Sequence, residues 1–486
     1  MARFSDIPLD LLPLILDYLS KKEFNSLLRV CKPLHQEIIP HLYHEITFKA
    51  ENSRWCARRL AFLLRTLLER PYLASYVTTF RLLGTHPCWT KYNPWQEETN
   101  TSTVNLWGLE GCTALSKAQM IFASNRFYQF VDEEMHKSLP QLRGRSKDAL
   151  AILVLTRFTE LTTLELGDGF LMYSLFIPQI LKRAGHLLPK LSHVILGDRK
   201  LDTENSVSYM DLNLIRPIFY LPNVKTFEWT MSEPWQFRWN QPAAPRNESL
   251  TKLHLFRSNI SRTTLAQLLA ATPNLRSLHY DYELLFNIHV PWRPIASPVL
   301  QLDNLNSVLN GVLNTLEEVE ISLGLAPGSA SQKEIFEQGL SFPVIQGTMT
   351  VLKDMANLRR VEVPMIMILG WFPNFAARLE EVLPSGIQEL TLRDDFVKYC
   401  PWAVGLNCNK KIRIIGEYIK DRNVHAPKLK TFKIKLVSSR NNDWLYEAVV
   451  ELRAAIGGEG ISSYRFLKED EMEMACWHFG EMTEPD

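Results

Sequence analysis

The sequence predicts an α/β fold in which a small N-terminal helical module precedes an irregular solenoid whose short strands form a parallel sheet. Three observations lead to this prediction. Apolar residues recur at helical spacing over the first fifty residues. A strand pattern then recurs between about residues 76 and 440. Amphipathic helical stretches separate many of its copies, and such an alternation of strands and helices is typical of parallel sheets.

The composition is that of an ordinary globular protein, with 486 residues, 46% of them hydrophobic and 22% charged. Lysine plus arginine number 54 and aspartate plus glutamate 53, so the net charge favours neither nucleic acid nor an anionic membrane as partner. The seven cysteines show no CxxC spacing, which argues against a disulfide framework and a zinc site. No secretory segment or membrane-spanning run is recognisable, so we expect a cytoplasmic or nuclear protein.

The N-terminal module is predicted to span residues 1–50. Ile7 and Pro8 precede leucines and isoleucines spaced by three and four, which places these side chains on one face of a helix. A second apolar group after Ser20 predicts two or three helices in all. So small a unit buries little surface, and its surplus of apolar side chains suggests a partner. Helical periodicity alone leaves another interpretation open, in which the segment is the hydrophobic cap of a larger domain.

The order of these residues resembles the F-box motif, from Asp6 to about Tyr43. Two departures are Pro13, early in the first helix, and Pro33-Leu34, where many members carry a basic residue and an aromatic one. The resemblance implies that the module docks a Skp-type adaptor and thereby joins an SCF-type cullin-RING ubiquitin ligase. The residues expected to contact this adaptor are Ile7, Pro8, Leu9, Leu11, Leu12, Ile15, Leu16, Leu19, Phe24, Leu27, Leu28, Val30, Cys31 and Leu34.

Residues 51–75 are predicted to form a helical linker, and a pattern of the form apolar-x-x-apolar-x-apolar recurs after it. Its copies begin at Val77, Leu161, Leu191, Val224, Leu250, Leu275, Leu316, Leu358, Ile387 and Leu429. Each copy predicts a short strand whose alternate side chains face inward, often entered from a turn with proline or asparagine. Insertions are predicted near residues 84–148, 230–248 and 281–300.

These copies resemble the leucine-rich repeat family, and the whole chain resembles F-box proteins with leucine-rich repeats, including fungal ones. The resemblance implies a solenoid over residues 76–440. An ordinary α/β domain with parallel strands is the alternative. The asparagine usual after each strand of such repeats is missing, so its ladder of hydrogen bonds is not predicted. Residues 441–486 are predicted to form a capping helix, over Asn441–Ile456, and a short, solvated acidic tail after Lys468.

Residues that alternate with the inward positions are predicted to bind a protein substrate. The substrate-binding candidates in this row are Arg81, Glu165, Glu228, His254, His279, Glu320, Glu362 and Lys433, with Ile195 and Thr391 at equivalent positions. Their mixed charges imply no partner of a single sign. Aromatic and arginine side chains are favoured interface anchors, which adds Trp235, Arg238, Trp239, Tyr282 and Trp292. The alternative for the aromatic residues is that they pack the insertions onto the repeats.

The sequence contains no glycine-rich phosphate loop, HExxH pair or nucleophile elbow, so we predict no cofactor, no metal and no catalytic residue. The hypothesis is a non-catalytic substrate-recognition subunit of an SCF-type ligase, holding an unknown protein substrate. An F-box and repeat scaffold that acts outside a ligase is the alternative. A small α/β hydrolase is the third interpretation, although no nucleophile with a suitable base stands out.

Overall fold

The structure, a computed structural model, describes residues 11, 15–16, 18–49, 53–83, 147–171, 177–197, 212–230, 234, 236–284, 299–325, 344–397, 400, 402, 406–436, 450, 461–467 and 472–478. The chain divides into two compact units. The first comprises Met1–Leu201 and Asn213–Val224, and the second comprises Asp202–Leu212 and Lys225–Asp486. Among the described helices, none is long and apolar enough to span a bilayer.

The first unit begins with helices and continues as a parallel sheet. Its elements are α1 (Lys21–Leu27), α2 (Lys32–His44), β1 (Glu45–Lys49), α3 (Ser53–Glu69), a 3-10 helix (Pro71–Tyr76), β2 (Thr79–Leu83), α4 (Lys147–Leu155), β3 (Thr163–Leu166), α5 (Asp168–Leu171), α6 (Ile177–Leu187), β4 (His193–Leu196), α7 (Leu212–Ile215) and a 3-10 helix (Arg216–Tyr220). The strands β1, β2, β3 and β4 pair in that order, and every pairing is parallel.

The second unit is built on a longer sheet. Its elements are β5 (Thr226–Thr230), β6 (Lys252–Ser258), α8 (Arg262–Ala270), β7 (Ser277–Leu284), β8 (Val299–Gln301), α9 (Leu302–Leu309), a 3-10 helix (Asn310–Val312), β9 (Glu318–Leu325), β10 (Val344–Gln346), a 3-10 helix (Thr350–Asp354), β11 (Arg360–Pro364), α10 (Met365–Leu369), a 3-10 helix (Pro373–Phe375), α11 (Leu379–Val382), β12 (Glu389–Arg393), α12 (Leu406–Lys420), α13 (Arg422–His425), β13 (Thr431–Leu436), β14 (Ile461–Leu467) and β15 (Met472–His478). Parallel pairing runs β5-β6-β7-β9-β11-β12-β13, and β8 pairs separately with β10.

The predicted parallel sheet is confirmed, and every copy of the repeated pattern forms one of these parallel strands. The alternation explains why. In β12, for example, Leu390 and Leu392 are fully buried, and in β13 so are Phe432 and Ile434. Side chains at every second position of a strand point to the same face, so one face of the sheet joins the core with the buried residues of the connecting helices. The other face carries the intervening, largely polar positions.

The turns before the strands hold successive repeats together in the second unit. The backbone N–H of the residue before each strand donates to the carbonyl at the same place in the preceding repeat, at 2.7–2.9 Å through Lys225, Thr251, Arg276, Glu317, Arg359, Gln388 and Lys430. Side-chain amides add to this ladder, since Asn274 Nδ2 donates to the carbonyl of Glu248 at 2.8 Å and Asn357 Nδ2 to that of Asn314 at 2.6 Å. Asparagine therefore acts before the strands, not after them.

Several predicted boundaries differ from the structure. The strand β1 lies inside the predicted helical module and extends the sheet. The predicted linker is folded as α3 and a 3-10 helix, with Leu60 and Leu64 of α3 buried. Of the predicted insertions, residues 84–146 and 285–298 lie outside the described residues.

The C-terminal end of the second sheet is antiparallel. Strand β15 pairs with β13 and β14 pairs with β15, both in antiparallel register. If the edge of β13 were unpaired, its backbone N–H and C=O groups would lack partners, and β15 provides the hydrogen-bond partners for this edge. The prediction of a solvated tail is therefore wrong for Met472–His478. The predicted capping helix lies outside the described residues, except for Val450.

Candidate functional sites: the N-terminal helices and the polar face of the sheet

The helix α1 starts at a capping box formed by Ser20 and Glu23. The hydroxyl of Ser20 accepts from the backbone N–H of Glu23 at 3.4 Å, and the Glu23 carboxylate accepts from the backbone N–H of Ser20 at 2.6 Å. Hydrogen bonds from the Ser20 hydroxyl and backbone N–H lower the pKa of Glu23. This pair fixes where the first segment ends and α1 begins.

The N-terminal helices share a small apolar core. Leu16, Phe24, Leu34 and Ile38 are buried in it, and Leu19, Leu27, Leu28 and Leu42 pack around it half-buried. Pro33 lies in the first turn of α2, where a proline lacks no hydrogen bond that the helix would make, so this departure from the motif is compatible with the fold.

Among the residues of this segment that the structure describes, three large apolar side chains are exposed to solvent. The exposed fraction is 46% for Leu11, 92% for Tyr18 and 61% for Val30. A folded unit gains nothing by exposing such side chains in water, and their concentration in a short segment is typical of a docking surface. Tyr18 was not among the residues predicted from the sequence. Helical spacing could have identified Tyr18 as an exposed residue, because it lies between the buried Leu16 and the half-buried Leu19.

The predicted adaptor-binding residues fall into four groups. Leu11, Val30 and Cys31 are exposed, and Ile15, Leu19, Leu27 and Leu28 are half-buried. Leu16, Phe24 and Leu34 belong to the internal core, so their side chains stabilise the helices themselves. Ile7, Pro8, Leu9 and Leu12 lie outside the described residues, as does Pro13.

The second candidate site is the polar face of the parallel strands, where the predicted row of residues comes into register. In the first unit Arg81 lies opposite Glu165, which lies opposite Ile195. In the second unit the register joins Glu228, His254, His279, Glu320, Glu362, Thr391 and Lys433, each opposite the next. The strand frame read from the sequence therefore places these residues correctly as neighbours.

In the first unit the row is held by ion pairs. Arg81 contacts Glu45 through Nη1 at 2.8 Å and Glu165 through Nε at 3.0 Å. Arg81 and Glu45 are more than a third exposed, and pairs of this kind contribute at most about 1 kcal/mol. They fix side-chain positions more than they stabilise the fold.

In the second unit two histidines stand side by side between two glutamates. The rings of His254 and His279 have centroids 5.4 Å apart. The Nδ1 atom of His254 lies 3.6 Å from Glu228 Oε1, and that of His279 lies 3.6 Å from Glu320 Oε2. Burial lowers the pKa of His279, although Glu320 acts in the opposite direction, so the site favours the neutral form of this ring.

A concavity of about 170 Å³ opens beside the two histidines. Its lining comprises Lys252, His254, Ser277, His279, Glu318, Val319, Glu320 and Arg360. In sequence, Lys252, Ser277, Glu318 and Arg360 each precede a residue of the row by two positions, and sequence analysis missed them. The strand period of two could have found them, because residues two apart share a face.

A buried ionic cluster forms around Glu362, on the strand of the row that follows Glu320. Glu362 accepts from Arg393 Nη1 at 2.8 Å and from Lys435 Nζ at 2.6 Å. Arg393 Nε also donates to Asp395 Oδ2 at 2.9 Å, and the same oxygen accepts from the backbone N–H of Leu323 at 2.8 Å. Burial alone would raise the pKa of Glu362, but Lys435 and Arg393 outweigh it and lower this pKa. Glu362 therefore serves the fold before any partner.

The predicted aromatic anchors do not join this row. Tyr282 lies on the core side of β7, with Tyr280 5.5 Å away between ring centroids. Trp239 packs edge-on against the buried Phe237 at 4.9 Å, beside the exposed Arg238. This contact matches the packing alternative for Trp239. Trp235 and Trp292 lie outside the described residues.

Metal binding finds no support in this part of the chain. Within the described ranges, no group of three or more His, Cys, Asp and Glu side chains could hold a metal ion. Of the cysteines, Cys31 is exposed, and burial raises the pKa of the Cys400 thiol to about 11.

Comparison with known proteins assigns the N-terminal helices. Residues 4–38 match the family model of the F-box domain. No curated protein matches the chain. The matched segment contains the capping box, the small core and the three exposed apolar side chains described above. The N-terminal module of this chain is an F-box domain.

Proposed function

We propose that the F-box domain docks a Skp-type adaptor and attaches the chain to a cullin-RING ubiquitin ligase, while the parallel strands hold a protein substrate. The observation that carries this proposal is the F-box match over residues 4–38, because F-box domains bind Skp-type adaptors. The chain would act as a non-catalytic substrate-recognition subunit, and its partner supplies the chemistry of ubiquitin transfer.

The exposed side chains support the docking step. Leu11, Tyr18 and Val30 are three apolar residues that the F-box core leaves in water. Covering one large apolar side chain contributes about 1.5–3 kcal/mol. We assign the adaptor surface to these residues and leave Leu16, Phe24 and Leu34 to the internal core.

The register of the polar row supports the second step. Side chains at equivalent positions of seven neighbouring strands in the second unit form one continuous polar strip. Glu228, Glu362 and Thr391 of this strip are buried. The half-buried members, which are His254, His279, Glu320 and Lys433, offer a partner charged and hydrogen-bonding groups on a rigid backbone.

Co-purification of the full chain with a Skp-type adaptor and a cullin tests the proposal. Tyr18→Asp and Val30→Asp place a charge on the docking surface, and we expect each to lower adaptor capture at least about tenfold. Val424, 76% exposed in the second unit, provides the matched control Val424→Asp, which should leave capture unchanged. Circular dichroism should show equal helix content in all three variants.

Two results would overturn the proposal. If both charged variants captured the adaptor as well as the unmodified chain, Tyr18 and Val30 would not form the docking surface. Capture of the adaptor without cullin would contradict the ligase role and indicate a scaffold that acts outside a ligase.

A further inference from the structure

We propose that the concavity on the polar face of the second unit binds an arginine side chain from an extended segment of a protein partner. The inference deepens the proposed role of this face as a substrate surface and rests on it. The occupant is a single guanidinium head group with its flanking backbone, because the concavity is too small for a folded element.

The shape of the site comes from one small residue. Ser277 stands in register between Lys252 and Glu318, and its short side chain leaves a gap between two long ones. The rings of His254 and His279 line this gap from the neighbouring row. The two imidazole planes are tilted by 49° to each other, so a planar guanidinium can stack on the face of one of them.

The charge of the site favours a cation. Within the described residues Glu318 makes no ion pair, and Glu320 has His279 as its charge partner at 3.6 Å, longer than a hydrogen bond. A neutral His279 leaves the Glu320 carboxylate without compensation. The Glu320 side chain keeps 31% of its surface exposed, so an incoming group can reach it.

Within the described residues, the two cations of the lining make no ion pair with these carboxylates. Arg360 stands in register opposite Glu318, but its Nε lies 3.9 Å from Glu389 on the other neighbouring strand, and its side chain is 48% exposed. Lys252 is exposed at the opposite rim, two strands from Glu318. An entering carboxylate would meet Glu318 and Glu320, so the same lining disfavours an acidic side chain.

The spacing of the carboxylates suits a guanidinium. Glu318 and Glu320 are two residues apart on β9 and project from the same face, about 6–7 Å apart along the strand. A guanidinium has donors on more than one edge, so it can donate to both carboxylates at once. The compact ammonium group of lysine is less suited to span two carboxylates.

Nuclear magnetic resonance of the full chain, labelled with ¹³C at histidine Cε1, tests this inference. The probe is N-acetyl-arginine methylamide, and N-acetyl-citrulline methylamide is its uncharged isostere. We expect saturable shifts of the His254 and His279 signals with the arginine probe, and about tenfold weaker binding of the citrulline probe. N-acetyl-glutamate methylamide should cause no saturable shift.

Variants give the test its direction. Glu320→Gln should weaken the arginine probe about tenfold, and Lys252→Met should strengthen it, because it removes a like charge from the rim. Glu317→Gln is the matched control, since Glu317 precedes β9 and pairs with Arg276 outside the concavity. Its binding should equal that of the unmodified chain.

Equal binding of citrulline, preferred binding of glutamate or an unchanged affinity in Glu320→Gln would each overturn the inference. Adaptor capture is measured separately, on the F-box variants. A chain that captures adaptor and cullin but ignores arginine would refute this site alone, and the reverse result would refute the ligase role alone.

Discussion

The F-box domain and the sheet of the second unit distribute their apolar side chains in opposite ways. Among its described residues, the F-box domain buries four apolar side chains in its small core and exposes Leu11, Tyr18 and Val30. The sheet buries apolar residues on each of its parallel strands and presents polar ones on its other face. A partner of the first region would therefore be held by apolar burial, whereas a partner of the second would be selected by charge and hydrogen bonds.

The two regions also differ in what a lost side chain costs. The core that the described residues of the F-box domain form is small and has little redundancy, and its proposed partner surface lies on the same segment. The sheet spreads its core over many strands, and its polar face is held by a network that includes the buried Glu362. We expect damage to one region to leave the function of the other intact.

A pair of core truncations should separate the regions most strongly. Phe432→Ala, in the fully buried interior of the sheet, should lower the free energy of unfolding of the second unit by about 3–5 kcal/mol. Leu16→Ala should cost about 2–4 kcal/mol within the F-box domain and reduce adaptor capture. Denaturant unfolding followed by tryptophan fluorescence measures the first effect. Residues 4–38 contain no tryptophan, so circular dichroism and adaptor capture measure the second.

The exposed Phe375 supplies the control, since Phe375→Ala should change stability by less than about 0.5 kcal/mol. Loss of adaptor capture in Phe432→Ala under conditions where it remains folded would show that the two regions do not act separately.

Removal of the buried carboxylate tests whether the polar face needs its network. Glu362→Ala leaves Arg393 and Lys435 without their shared partner, and we expect a loss of about 2–3 kcal/mol. This is below the usual value for a fully buried pair, because Lys435 is 22% exposed. The matched control is Glu389→Ala on the next strand, whose half-exposed pair with Arg360 should contribute less than about 1 kcal/mol. Equal losses in the two variants would show that burial of the cluster has no special effect.

The smallest expected effect is a pH dependence confined to the sheet. The pKa of His279 is lowered in the folded protein, so the unfolded chain binds more protons as the pH falls below about 6.5, and the folded state loses stability there. The groups that act on His279 are Glu320, His254, Asp281 and Glu362. His279→Gln should flatten the stability between pH 7.5 and 5, measured by denaturant unfolding. The exposed His186, changed to glutamine, should leave the pH dependence unaltered.

The strands of the sheet and the neighbours along the polar row could be predicted from sequence, because strand alternation is a local pattern. The spacing of Phe432 and Ile434 predicts a strand, and the polar Lys433 between them lies on the other face. Once strands are aligned by the shared frame, Glu228, His254 and His279 must be neighbours. The same period of two would have added Ser277 and Glu318 to the site.

Other features depend on contacts between distant segments and could not be predicted in this way. Helical spacing places Leu16 on the apolar face of a helix, but it does not show whether an internal core or a partner covers this side chain. The strand β15 follows an acidic stretch that indicates a solvated tail, and only the free edge of β13 explains its pairing. The Glu362 cluster joins residues from three strands and from the turn after β12.

The ladder of backbone hydrogen bonds before the strands has a consequence for how this sheet can change. Each strand is aligned by contacts at its amino end, so the connection that leaves its carboxyl end is free to vary in length. The connection from β6 to β7 spans residues 259–276, and that from β12 to β13 spans residues 394–430, about twice as many. The polar row nevertheless stays in register across all of them. Insertions or deletions in these connections can change the residues at the edge of the polar face, while the row of strand residues remains the same.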